Sequence, residues 1–148
     1  MPQNLTISDL EGRLDALQAA DFDMMRVDSD GMERLLVICD DIEGKFAASE
    51  AAPLLFRFLE RLEHCDLGSP GPVVHTLETL PDYARYLRES VLRKPTPLTV
   101  WMLNRLVNAG GSERAEWLTL LRSVQSNPSA SDEARKEAAE FLEYQNAA

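Results

Sequence analysis

Met32-Glu-Arg-Leu-Leu-Val-Ile-Cys-Asp-Asp-Ile-Glu-Gly44 is the stretch that decides the fold. Its middle, Leu35-Leu-Val-Ile-Cys39, is an unbroken apolar run that fits either a packed helix or a short buried strand. As a helix it turns Met32, Leu35, Leu36, Cys39 and Ile42 inward and stops at Gly44. As a strand it needs a neighbour for its backbone donors and acceptors, and no other segment of the 148 residues reads strongly as one. Periodicity alone leaves residues 34–39 open between helix and strand. The missing partner tips the chain to all-α.

Helical signals continue on both sides. Ser8-Asp-Leu-Glu11 has the form of a capping box, with serine and glutamate each satisfying a free backbone donor. Leu10, Leu14 and Leu17 then keep helical spacing to about Ala20, and residues 21–31 form an acidic connector. Beyond Gly44, Ser49 caps a helix that carries Leu54, Leu55, Phe58, Leu59 and Leu62 on one face. Gly68-Ser-Pro-Gly-Pro72 interrupts the chain. Pro72 and Pro81 suit first helical positions, where no amide donor is needed, of a short helix over 73–79 and a longer one over 82–93. Thr96-Pro97 opens a helix that stops at Gly110-Gly111. Ser112 begins another, through about Ser126, with Trp117, Leu120, Leu121 and Val124 inward; Ser131 caps the last, to about Tyr144.

Pro53-Leu-Leu-Phe-Arg-Phe-Leu-Glu-Arg-Leu62 matches Pro97-Leu-Thr-Val-Trp-Met-Leu-Asn-Arg-Leu106 at five of ten places, 44 residues apart. Paired helices repeating at that interval are the period of HEAT-type solenoids. The expectation is stacked antiparallel helical hairpins, HEAT-like, or else an irregular helical bundle. Length favours a single domain over 1–148, with an acidic part at 1–67 and a neutral part at 72–148.

Charge is distributed unevenly. The net charge is −10, yet residues 1–66 hold 15 acids against 6 bases while residues 67–148 hold 10 against 9. The densest stretch, Asp21 to Glu43, has eight acids and only Arg26 and Arg34 as bases. Like charges crowded together repel, so the stretch reads either as a solvated surface or as a docking face for something basic. On the second reading the contacts are Asp21, Asp23, Asp28, Asp30, Asp40, Asp41 and Glu43. Phe22, Met24 and Met25, interleaved among them, are either apolar anchors or core residues. A pI near 4.6 argues against nucleic acid as ligand, since such binding neutralises phosphates with Lys and Arg. No apolar run approaches the roughly 20 residues of a membrane helix. Met1-Pro-Gln-Asn-Leu5 lacks the basic flank and apolar core of a signal peptide, so a cytosolic, cytoplasmic protein is expected.

No pattern names a reaction. His64-Cys65 with His75 lacks the paired spacing of a zinc site. Asp28-Ser-Asp-Gly31 resembles part of a calcium loop, but the places for its first acid and closing glutamate hold Arg26 and Val37. Cys39 and Cys65 fall on or near apolar helix faces without a base beside them, which favours reduced, structural thiols. Neighbouring Asp40 and Asp41 diverge on a helix. Neither an enzyme, a metal nor a cofactor is expected. Trp101 and Trp117 have core spacing, one of Tyr83 and Tyr86 should point outward, and Arg85, Arg88, Arg93 and Lys94 make a modest basic patch.

The stretch from Leu80-Pro-Asp-Tyr-Ala-Arg-Tyr-Leu through Arg93-Lys-Pro-Thr-Pro-Leu-Thr-Val-Trp-Met-Leu-Asn-Arg-Leu-Val-Asn108 carries a further signal. With Trp117-Leu-Thr-Leu-Leu-Arg122, Asn127-Pro128 and Glu140-Phe-Leu-Glu-Tyr-Gln145, it resembles small helical immunity proteins of bacterial contact-dependent growth inhibition and polymorphic-toxin systems. The likeness spans about residues 74–146; its shared words read as a structural signature and mark no contact site. It implies a protein that binds and neutralises a cognate toxin domain in the producing cell's cytosol, many such toxins being nucleases with basic grooves. An acidic face imitates the phosphate backbone and speeds association. The alternative is a HEAT-like adaptor without toxin specificity.

Overall fold

The computed structural model describes residues 4–147, so the start of the chain that weighs against a signal peptide lies partly outside them. Among the described residues regular structure consists of eight α-helices and two 3₁₀ turns, with no strand. The protein is all-α. It divides into two compact units, Met1–Tyr83 and Ala84–Ala148. The first holds 17 acids against 6 bases and the second 8 against 9, so the charge asymmetry follows the units.

In the first unit α1 (Ile7–Ala16) leads through a 3₁₀ turn at Ala19–Phe22 to α2 (Gly31–Ile42), α3 (Ala48–Arg61) and α4 (Pro72–Thr79). Residues 34–39 are therefore helical. Helix α2 buries Leu35, Ile38, Cys39 and Ile42 against α1 and α4, a spacing of three and four that makes one stripe. Leu36, expected inside, points outward, and Ile38 takes the inner place. The five-residue apolar run supplies an apolar side chain in every direction, so packing on the neighbours chooses the stripe.

Several starts and stops shift from expectation for local reasons. Thr6 rather than Ser8 caps α1: its hydroxyl accepts from the Asp9 amide at 3.1 Å while Asp9 accepts from the Thr6 amide at 2.9 Å. Helix α1 ends at Ala16, short of Ala20, because Arg61 from α3 donates to the Leu14 and Leu17 carbonyls at 3.0 and 2.8 Å. The N-cap of α3 is Ala47, which places Ser49 inside the first turn. Pro72 opens α4 as expected. Pro81 does not open α5, because Asp82 takes a left-handed φ of 59° and delays the helix to Tyr83.

The second unit comprises α5 (Tyr83–Arg93, its first residue at the divide), α6 (Pro97–Ala109), α7 (Arg114–Ser123) with its 3₁₀ extension Val124–Ser126, and α8 (Asp132–Ala147). Helices α6, α7 and α8 pack on one another. Thr96 and Thr99 form a buried capping box around Pro97, and Gly110, at φ 73°, ends α6. Gly110 and Gly111 both have positive φ, so α7 starts at Arg114, two residues after Ser112. The Ser131 hydroxyl accepts from the Ala134 amide at 3.1 Å and caps α8 as expected. Buried Gln145 donates to Asn104 at 2.9 Å and to Asn108 at 2.7 Å and accepts from Arg114 at 3.1 Å, tying α8 to α6 and α7. Trp117 is buried, while Trp101 is half-buried beneath the Arg105 guanidinium. The repeated decapeptide occupies different levels of its two helices: Pro97 is the first residue of α6, and Pro53 lies inside α3.

Candidate functional site: an acidic connector with apolar tips

The connector from Asp21 to Asp30 is anchored at both ends and shaped from within. Phe22 enters the first unit's core and meets Phe58 edge-on, ring centres 6.2 Å apart. Asp21 accepts from the Gln18 amide at 2.8 Å and pairs with Arg34 of α2 at 2.9 Å. The Gln18 amide first, with Arg34 adding, holds the Asp21 carboxyl below the usual carboxylate range. Arg34 also reaches Asp30 at 3.1 Å, so one guanidinium clamps the two ends of the connector. Gly31 allows the approach, since a Cβ there would fall 2.5 Å from the Asp21 carbonyl oxygen.

Between those anchors the chain folds back on itself. Asp23 accepts from the Met25 amide at 2.9 Å, and the Ser29 hydroxyl donates to the Asp23 and Arg26 carbonyls at 2.9 and 3.1 Å. Phe22 is thus core, whereas Met24 and Met25 are not: they are 81% and 90% exposed, and Val27 is fully exposed. Met24 lines two hollows that share Phe22 and Asp66, one extending to Met32 and Gly68, the other to Met25, His64 and Cys65. Three exposed apolar side chains within four residues of an acidic loop are costly to leave in water and are what an apolar contact would use.

The seven acids occupy different settings. Asp23, Asp28, Asp30, Asp40 and Glu43 are exposed, whereas Asp21 and Asp41 are half-buried. Asp28 lies 3.5 Å from Arg26. Asp41 pairs with Arg13 of α1 at 2.8 Å and with Lys45 at 3.9 Å, so it joins α1 to α2. Asp40 and Glu43 lie together on the outer face of α2, with no ion pair among the described residues. Asp21, Asp23, Asp28 and Asp30 thus belong to the connector that carries the methionines, while Asp40 and Asp41 lie on α2 and Glu43 at its end.

The remaining reactive groups stand apart. Burial pushes the Cys39 thiol up to about 11 and also raises that of half-buried Cys65; both are free thiols. Among the described residues no three His, Cys, Asp or Glu side chains are grouped to hold a metal ion, and no helix is long and apolar enough to cross a membrane. In α5, Arg88 lies over Trp117 at 4.8 Å and 3.5 Å from Glu116, and Arg85 lies beside Tyr86 and Glu89. Tyr83 and Tyr86 are both half-buried, so neither is the outward member expected of the pair.

Comparison with known proteins adds a partial likeness. The chain is 36% identical over 89 residues to the Magnesium-chelatase 38 kDa subunit of Rhodobacter capsulatus, a match covering 57% of this chain and 24% of that protein. The chain thus spans about a quarter of that relative's length. No protein-family model matches the chain, and no solved structure does.

Proposed function

We propose that this protein is a cytosolic immunity protein that binds and neutralises a cognate bacterial toxin domain, a nuclease, through the acidic side of its first unit. Its function is binding, with no reaction of its own. The observation that carries the reading is the display of Met24, Met25 and Val27 inside a connector bearing Asp23, Asp28 and Asp30. Apolar tips supply the desolvated anchors from which tight complexes draw most of their energy, and the surrounding acids steer a basic surface toward them. The internal hydrogen bonds hold the loop in shape beforehand, which reduces the ordering cost of association. The C-terminal resemblance to immunity proteins supports the same reading.

The test is co-expression with a candidate toxin domain, sought first in the genes next to this one. The wild-type chain should restore growth, and Met24→Asp/Met25→Asp should not while remaining folded. Full rescue by that variant would exclude the connector as the contact. A second reading, a helical adaptor without toxin specificity, draws on the partial likeness to a protein named as a subunit. It predicts a folded wild-type chain that fails to rescue.

A further inference from the structure

Helix α2 has a second face that the fold leaves open. Opposite its buried stripe, at helical spacing, stand Glu33, Leu36, Val37, Asp40 and Glu43, all exposed. Leu36 and Val37 are 50% and 54% exposed, in the middle of the stripe, with acids at both ends. Beside Val37 lies a groove of about 240 Å³ between α1 and α2, lined by Arg13, Ala16, Leu17, Arg34, Val37 and Ile38. Its two cations are already engaged, Arg13 by Asp41 and Arg34 by Asp21 and Asp30. Glu33, Asp40 and Glu43 have no ion pair among the described residues. An occupant therefore meets an apolar centre and uncompensated negative charge at its margins.

We propose that this face receives an amphipathic, basic α-helix of the partner protein. The inference deepens the reading above and rests on it for the identity of the partner. Residues 33–42 rise about 14 Å along α2, with Glu43 just past its end, which matches about two and a half to three turns of a partner helix. Apolar side chains three and four apart on that helix pack on Leu36 and Val37 and reach the groove on the Val37 side. Its Lys or Arg residues lie opposite Glu33 at one end and Asp40 and Glu43 at the other. Helix α2 satisfies its own backbone, so an added strand finds no hydrogen-bonding edge here. A second copy of the chain is disfavoured, because its first unit carries 17 acids against 6 bases and would repel its like.

The probe is a synthetic Leu/Lys helix of about three turns, with leucines on one face, titrated into the ¹⁵N-labelled full chain and followed by amide chemical shifts. The control has the same composition in an order without a helical face. The facial probe should saturate shifts at Ala16, Leu17, Val37 and Ile38 and bind at least about tenfold more tightly than the control. Leu36→Ser/Val37→Ser, both exposed, should remove that difference. Equal binding of the two probes, or shifts confined to the connector, would overturn the proposal. No toxin is present in this titration, so loss of growth rescue and loss of probe binding are separate outcomes.

Discussion

The helical phase of α2 makes a quantitative prediction, because three side chains within four residues have opposite settings. Leu35 and Ile38 are 0% and 2% exposed, and Val37 is 54% exposed. Truncating a buried Leu or Ile to Ala removes its transfer energy and leaves a cavity, together about 2–5 kcal/mol. Truncating Val37 removes two methyls already half in water. Alanine's higher helix propensity returns roughly 0.5 kcal/mol, so the net change should stay within about 0.5 kcal/mol. With a urea dependence of about 2 kcal/mol per M, Leu35→Ala and Ile38→Ala should each lower the unfolding midpoint by about 1–2.5 M, and Val37→Ala by less than about 0.3 M. Far-UV circular dichroism reads the transition, and tryptophan fluorescence reports the second unit, where Trp101 and Trp117 lie. Strand geometry would put Leu35, Val37 and Cys39 on one side and Leu36 and Ile38 on the other. If Val37→Ala cost as much as Leu35→Ala while Ile38→Ala were neutral, the α2 assignment would be refuted.

Gly31→Ala forces a Cβ against the Asp21 carbonyl and should cost about 1–3 kcal/mol, with amide shifts changing throughout residues 21–30. Unchanged shifts there would deny the close approach. Gln145→Leu strands the buried Asn104 carbonyl oxygen and should destabilise the second unit by about 1–3 kcal/mol, read as an earlier fluorescence melt. Cys65 should react with a thiol reagent at pH 8 in the folded protein, whereas Cys39, with its thiol raised to about 11, should react only on unfolding. Equal native rates for the two would contradict the burial of Cys39.

The all-α class was legible because apolar residues recur at three and four and because proline and glycine punctuate the helices. Thr96-Pro97 and Gly110 mark both ends of α6, since each residue type meets a backbone requirement peculiar to that position. The phase of α2 was not legible. Leu35 to Cys39 is apolar in every direction, and only contact with α1 and α4 selects Ile38 over Leu36. The end of α1 was hidden for a similar reason, because Arg61, 44 residues beyond Leu17, caps its carbonyls. At the candidate site, composition located the acidic stretch. It could not separate Phe22 from Met24 and Met25, which share an apolar character: Phe22 closes the 3₁₀ turn and packs on Phe58, while the methionines lie just beyond it in solvent. Nor does a carboxylate reveal in sequence whether it serves inwardly, as Asp21 and Asp41 do with Arg34 and Arg13, or stands free like Asp40 and Glu43.

The sharpest measurement is the equilibrium affinity of the chain for its proposed toxin domain, compared with that of Met24→Ala/Met25→Ala. Both methionines are exposed in the free protein, so truncation leaves the fold intact and removes only what the partner would bury. The expected result is a loss of at least about tenfold, roughly 1.4 kcal/mol, that persists at high salt, where steering by the acids is screened. Equal affinities for variant and wild type would contradict it.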